Sequence, residues 1–113
     1  MPKTEVVDLM SPFEGGARWG TQTEDLNATL LVWASGQGVE RHVNDARDVV
    51  IVVIGGGGSV EVDGEAHPIR AGQAIVIEKG RERAITAGAA GLRYVSVHQR
   101  RDPLQITPSE PPP

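Results

Sequence analysis

The stretch RDVVIVVIGGGGSVEVDGEAHPIR, residues 47–70, decides the fold class of this chain. Two runs rich in β-branched residues, at 47–54 and 59–63, flank four glycines, and a third segment follows at 66–70. β-Branched residues favour strands, and Asp63-Gly64 is a strong hairpin signal because glycine tolerates the positive φ of a tight turn. The stretch therefore predicts successive strands with tight connections.

The same pattern extends outward along the chain. Short runs of Val, Ile and Thr recur about every ten residues, with turn residues between them. The chain has 14 glycines and 8 prolines and lacks the 3.6-residue periodicity of an amphipathic helix. An all-β sandwich or barrel is the class that fits. The other strands are predicted at 27–34, 39–43, 73–78, 83–87 and 92–98.

The run DVVIVVI is apolar on both of its alternating faces. One face carries Val50, Val52 and Ile54, and the other carries Val49, Ile51 and Val53. A strand with water on one side would alternate apolar and polar residues. A second sheet layer or another subunit is expected to cover the second face, and we predict a homodimer.

Composition narrows the class of protein. Of the 113 residues, 39% are hydrophobic and 23% are charged, and the net charge is -4. An acidic surface repels a phosphate backbone, so we expect no nucleic-acid partner. No apolar run reaches the roughly 20 residues of a membrane span, and no secretion signal is evident. There are no cysteines, which excludes disulfides and thiolate metal sites. A cytoplasmic protein without a membrane partner is predicted.

The chain divides into one domain and two ends. Residues 1–20 are predicted to form an irregular lead-in or an edge strand, residues 21–102 the β-barrel domain, and residues 103–113 a proline-rich tail. Proline lacks a backbone N–H, so the tail cannot complete a strand ladder. Its last five residues are expected to be disordered, whereas Leu104 and Ile106 can pack on a neighbour.

Two segments resemble the paired motifs of the cupin family. In the first, Gly38 precedes His42-Val43-Asn44, three residues follow, and six residues separate Asp48 from Gly55. In the second, Gly72 is followed by QAIVI, Glu78-Lys79-Gly80, Arg83 and Ala87. The resemblance covers residues 36–98 and implies an antiparallel jelly-roll β-barrel, the double-stranded β-helix.

The resemblance also implies where a metal ion would bind. Metal-binding cupins hold one divalent ion with two histidines and a glutamate of the first motif and a histidine of the second. Carried over by position, these ligands become His42, Asn44, Asp48 and Arg83. Asn44 offers only a neutral carbonyl oxygen, and Arg83 has no lone pair to donate.

Arg83 argues most strongly against a metal ion. Two like unit charges about 4 Å apart repel by roughly 4 kcal/mol at an effective dielectric constant of 20, and a dication doubles this. We therefore hypothesise that Arg83 replaces the ion electrostatically and that no cofactor is bound. Its guanidinium either pairs with Asp48, as a structural ion pair that closes the barrel end, or binds an anionic ligand such as a carboxylate.

The remaining candidate residues lie outside the ligand positions that the motifs imply, or have two alternative roles. His98 shares a face with Tyr94 and Ser96, and it becomes a ligand-binding or replacement metal-binding residue only if that face points into the barrel. Asn44 binds a ligand or caps a turn with Asp45. Trp33 is expected in the core. His67 is expected to be partly exposed and outside the site, and the glycines at 55–58 lack the Lys-Ser/Thr of a phosphate-binding loop.

Three functions remain open from the sequence. The first is a metal-independent pocket that binds a small molecule through His42, Asn44, Asp48, Arg83 and His98. The second is a metal enzyme with an incomplete ligand set, in which His42, Asp48 and His98 hold the ion. The third is a dimeric scaffold without a ligand. Whether the protein is an enzyme stays open; if it is, His42 as general base oriented by Asp48 is the simplest scheme.

Overall fold

The computed structural model describes residue 4, residues 6–12 and residues 15–100, and this part of the chain consists of strands and turns. It contains no helix long and apolar enough to cross a membrane. The strands are β1 (Gly16–Gln22), β2 (Leu26–Trp33), β3 (Gly38–Val43), β4 (Val49–Val62), β5 (Glu65–Arg70), β6 (Ala74–Ile77) and β7 (Glu82–Gln99).

Every strand pairing is antiparallel. The order is β1-β2-β7-β4-β5, with β3 on β7 and β6 on β4. The first half of β4 pairs with β6 and the second half of β7, whereas its second half pairs with β5 and the first half of β7. The first layer comprises β1, β2, β6, the first half of β4 and the second half of β7, and the second layer comprises β3, β5 and the other halves of β4 and β7. The two longest strands thus pass from one layer to the other and join both layers into a barrel. The predicted all-β class is confirmed.

The glycine-rich segment bends a strand that the sequence had predicted to end there. Residues 47–54 and 59–63 were expected to be separate strands, but β4 runs through both. Bulges between Val53 and Gly55 and between Gly56 and Gly58 absorb the bend. A Cβ on Gly56 would lie 2.1 Å from a backbone oxygen of β7, and one on Gly58 would lie 2.2 Å from another. The expected close approach at Gly58 is confirmed, but the strand boundary is wrong because bulged glycines bend a strand without ending it.

The same correction applies to β7. The segments predicted at 83–87 and 92–98 belong to one strand of 18 residues. Gly91, with a φ of 78°, lies where β7 bends beside β4. At the far end of β4, Asp63 and Gly64 have φ angles of 49° and 82°. Two consecutive positive φ angles form the tight turn that links β4 to β5, so the predicted hairpin is confirmed.

The core lies between the two layers. Along the first half of β4, Val49, Ile51 and Val53 are buried, whereas Val50 and Val52 are exposed. The second layer thus covers one face of this strand, and the other face is uncovered by the described residues. Trp33 packs against the core as predicted. The buried hydrophobic cluster comprises Leu31, Val39, Val49, Ile51, Val53, Val60, Ile69, Ile77, Ile85, Ala87, Leu92 and Tyr94.

The predicted tail lies outside the described residues. The structure therefore does not test the expectations for Leu104, Ile106 and the last five residues. The predicted lead-in includes the first part of β1, an edge strand that pairs with β2.

Candidate functional site

The strand register places two polar residues of the motifs side by side inside the barrel. His42 on β3 is the direct partner of Arg83 on β7. Arg83 alternates with the buried residues Ile85 and Ala87, and only 1% of its surface is exposed. Arg83 lies in one cross-strand row with His42 and Val62. This row is at the end of the second layer that is furthest from the glycine bend. This end is the barrel mouth.

The Arg83 guanidinium is held by two backbone carbonyls. Its Nε donates to the oxygen of Arg81 at 3.2 Å, and its Nη2 donates to the oxygen of Glu78 at 3.0 Å. Its Nη1 is buried and has no hydrogen-bond partner. Burial lowers the pKa of Arg83, and the negative charges of Asp48 and Asp63 oppose this shift. Both N–H donors of Nη1, two of the five on the guanidinium, are therefore buried without an acceptor.

The expected ion pair between Arg83 and Asp48 does not form. Asp48 is exposed, and its Oδ1 accepts a hydrogen bond from the backbone N–H of Lys79 at 2.8 Å. The carboxylate thus fixes the loop after β6, and among the described residues no carboxylate is ion-paired with Arg83. The prediction of a structural ion pair is wrong because Asp48 precedes β4 and bonds to the backbone of a neighbouring loop.

His42 presents one ring nitrogen to the interior. Its Nδ1 lies 2.8 Å from the carbonyl oxygen of Glu40. A carbonyl oxygen only accepts, so this hydrogen bond requires the proton on Nδ1. The Nε2 atom is buried without a partner. In the neutral ring this atom is an acceptor, which makes it complementary to the donor on the neighbouring Arg83.

Asn44 caps the turn that follows β3. This residue is 5% exposed, and its Oδ1 accepts from the N–H of Ala46 at 2.9 Å. Its backbone oxygen accepts from the N–H of Gly80 at 2.9 Å. The side-chain oxygen of Asn44 is thus engaged in its own turn, as the turn-capping alternative predicted, and ligand binding by Asn44 stays a prediction.

The face that carries His98 points into the barrel. Tyr94 and Ser96 are fully buried on this face, and the Ser96 Oγ has no hydrogen-bond partner. His98 pairs with Asn27 and Val49 at the mouth end of the first layer, and its Nδ1 lies 3.0 Å from the oxygen of Gln99. The expected polar wall is therefore present, and sequence parity alone could not have established it.

These residues do not fit a bound divalent ion. Among the described residues, no group of three or more His, Cys, Asp or Glu side chains could hold one. Asp48 is bonded to the Lys79 amide, and Arg83 adds a buried positive charge next to His42. The metal-ligand set His42, Asp48 and His98 is not assembled. Asp48 also makes no contact that would orient His42. The scheme in which His42 acts as a general base oriented by Asp48 therefore lacks the orienting residue.

Sequence reasoning missed two features. The first is a hydrogen bond from the Trp33 Nε1 to the Tyr94 Oη at 3.2 Å, inside the barrel. The second is an open cleft of about 960 Å³ beside β3, lined in part by Trp33, Arg41 and Glu61. Arg41 is ion-paired with Glu61 at 2.9 Å. Residues of the β3 bulge between Val39 and His42 line part of this cleft, and the sequence does not predict the bulge.

His67 agrees with its prediction. Its side chain is 41% exposed, and its Nε2 lies 3.9 Å from a carboxylate oxygen of Glu65. It stands on β5, away from the row that contains Arg83. It is therefore not part of the candidate site.

Comparisons with known proteins agree with this architecture. The family model of the cupin domain matches residues 29–98, and the chain belongs to the cupin family. A comparison with the curated proteins returns no match.

Three solved structures illustrate the likeness in fold. BH2720 from Bacillus halodurans is 19% identical with a TM-score of 0.77, and the match covers 89% of this chain and 84% of that one. An RmlC-like cupin protein from Desulfovibrio desulfuricans is 15% identical with a TM-score of 0.74, covering 86% and 97%. KdgF from Halomonas sp. is 23% identical with a TM-score of 0.67, covering 75% and 78%. At these identities the likeness establishes the fold.

Proposed function

We propose that this cupin binds a small hydroxy-carboxylate in its barrel mouth, through Arg83 and His42 and without a metal ion. One observation carries the proposal. Arg83 Nη1 and His42 Nε2 belong to cross-strand neighbours, and both are buried without a hydrogen-bond partner. A positively charged donor and a neutral acceptor next to each other are complementary to a carboxylate with a nearby hydroxyl group.

The energetics favour an anionic ligand. A buried polar group left unsatisfied costs about 1–3 kcal/mol, and more if it is charged. Arg83 is a buried cation, and the carboxylates that influence it most, Asp48 and Asp63, are both occupied by backbone N–H groups. A ligand carboxylate would supply the missing acceptor and a counterion together, as guanidinium–carboxylate pairs do.

The acceptor on His42 indicates which second functional group the ligand needs, in addition to its carboxylate. With its proton on Nδ1, the neutral ring can only accept at Nε2. Cross-strand partners have Cβ atoms roughly 5 Å apart. A hydroxyl one or two bonds from the carboxylate would therefore be within reach of His42 while the carboxylate contacts Arg83.

Burial limits the size of the ligand and the route it takes. Because Arg83 is only 1% exposed, a ligand must be small and must displace the segment at 78–81, whose carbonyls hold the guanidinium. This segment is exposed and is fixed by the hydrogen bond from Lys79 to Asp48. Binding is thus expected to be coupled to movement of this loop.

Thermal-shift measurements with 2-hydroxy acids, the parent acids and the matching alcohols test the proposal. A ligand at 100 times its Kd adds about 2.7 kcal/mol of stability, which raises the Tm of a domain of this size by roughly 10–20 °C. We expect the largest rise with hydroxy acids and none with alcohols. R83M should abolish the rise, because it retains the apolar volume but removes the charge.

R81M is the matched control. Arg81 is exposed and ion-paired with Asp63, so its removal changes the net charge equally but leaves the barrel interior intact. Far-UV circular dichroism verifies that both variants fold. An equal rise in R83M and in the wild type contradicts the proposal, and so does the absence of a rise with every acid.

A further inference from the structure

Ser96 is a buried hydroxyl that core packing does not explain. Its side chain is fully buried, and its Oγ has no hydrogen-bond partner among the described residues. Its cross-strand neighbours are Thr29 on β2 and Ile51 on β4, and Ile75 on β6 continues the same row. A buried hydroxyl without a partner lowers the stability of a fold, and an alanine would fill the position without this loss.

The register places Ser96 one row deeper in the barrel than the Arg83 guanidinium. Arg83 stands in the second layer, but its Nη2 donates to the backbone oxygen of Glu78. Glu78 directly follows β6, whose last residue pairs with Val49 in the first layer. The guanidinium therefore reaches the row of Val49. Ser96 pairs with Ile51, which is two residues, or about 7 Å, further along β4 on the same inward face.

Three residues of the barrel interior thus bury polar atoms without a partner: Arg83 at Nη1, His42 at Nε2 and Ser96 at Oγ. Each atom has a different hydrogen-bonding character. The guanidinium only donates, the neutral His42 ring with its proton on Nδ1 only accepts at Nε2, and the Ser96 hydroxyl does both. The set is complementary to a carboxylate, a hydroxyl that donates, and a further neutral oxygen group.

The spacing of these atoms limits the length of the ligand. Hydrogen bonds of about 2.9 Å at its two ends take up most of a gap of about 7 Å. The ligand oxygens that contact Arg83 and Ser96 must therefore be close together, as they are on a chain of three carbons. His42, the direct partner of Arg83, would contact the hydroxyl of the middle carbon.

We infer that Ser96 binds a second hydroxyl group of the ligand, so that the preferred ligands are short 2,3-dihydroxy acids. This inference rests on the proposed function and adds to it the second hydroxyl and the chain length. A second carboxylate in place of that hydroxyl does not fit. No residue in the row of Ser96 is charged, and a carboxylate buried there without a cation is strongly unfavourable.

Calorimetric titration of the full chain with four three-carbon acids tests this inference. Glycerate carries both hydroxyls, lactate only the first and 3-hydroxypropanoate only the second, whereas tartronate replaces the second with a carboxylate. The wild type should bind glycerate about tenfold more tightly than lactate, as one additional hydrogen bond allows, and more tightly than tartronate. S96A should weaken binding of glycerate and 3-hydroxypropanoate about tenfold and leave the Kd of lactate unchanged.

S59A is the matched control, because Ser59 precedes the buried Val60 on β4 and lies on the outer face; it should bind all four acids as the wild type does. Without ligand, S96A should melt at or above the Tm of the wild type, since it loses only an unsatisfied hydroxyl, and S96C should show the same loss of glycerate affinity. A lower Tm for S96A would assign the hydroxyl a structural role. That result, equal affinities of the wild type for glycerate and lactate, or tighter binding of tartronate, overturns the inference while lactate binding still supports the proposed function. Absence of binding by every acid overturns both.

Discussion

The buried Tyr94 should make stability depend on pH in the alkaline range. Its side chain is fully buried, and burial raises its pKa to about 12, against 10.0 for an exposed tyrosine. The folded state thus favours the neutral phenol. Because the pKa is higher in the folded state, the stabilisation is complete below pH 10 and is lost as the pH rises from 10 towards 12.

The size of the effect follows from linkage. Between pH 9 and pH 11, ionisation of Tyr94 in the unfolded chain lowers the free energy of unfolding by about 1.3 kcal/mol. Y94F removes this dependence. It also removes the acceptor of the Trp33 hydrogen bond, so it should be about 1 kcal/mol less stable than the wild type at pH 9. The difference between the two proteins should therefore close by pH 11.

Urea denaturation of both proteins at the two pH values measures this difference, and other titrating groups cancel in the comparison. Tyr94 is the only tyrosine in the chain, so tyrosinate absorbance near 295 nm also reports its pKa directly. The folded protein should titrate about two units above the protein in urea. Parallel pH profiles for the wild type and Y94F, or a titration near pH 10 in the folded protein, would refute the reasoning.

Two further predictions concern the loops and the bend. G58A should destabilise the fold by about 1–3 kcal/mol or more, because its Cβ would lie 2.2 Å from the Thr86 oxygen. G64A, which meets no atom within 4 Å, should cost only about 1–2 kcal/mol of backbone strain; equal losses in urea denaturation would count against the close approach. D48A should release the Lys79 amide and speed hydrogen exchange there, whereas D48N retains an acceptor and should not; identical exchange in both variants would contradict the tether.

Alternation and turn residues predict most of the fold. The strand positions agree with the structure to within one or two residues at most ends, and the Asp63-Gly64 hairpin is where the sequence predicts it. The long strands β4 and β7 were predicted as separate pieces because glycine clusters usually separate strands. Whether such a cluster ends a strand or bends it depends on its partner strand, which local sequence does not contain.

The site was predictable in position but not in its contacts. Motif spacing placed His42 and Arg83 together, and the register agrees. The partners of Asn44 and Asp48 are backbone N–H groups at Ala46 and Lys79. Such contacts depend on how loops close, and side-chain identities alone do not specify them. The domain boundaries and the cytoplasmic location stay predictions.

The metal content of the purified protein tests most directly the claim that Arg83 replaces the ion. Protein purified without chelator is analysed by mass spectrometry for zinc, iron, manganese and nickel, and its Tm is measured before and after dialysis against chelator. If Arg83 replaces the ion, the protein should contain far less than one equivalent of metal, and its Tm should be unchanged. One equivalent that resists the chelator, or that lowers the Tm when it is removed, would contradict it.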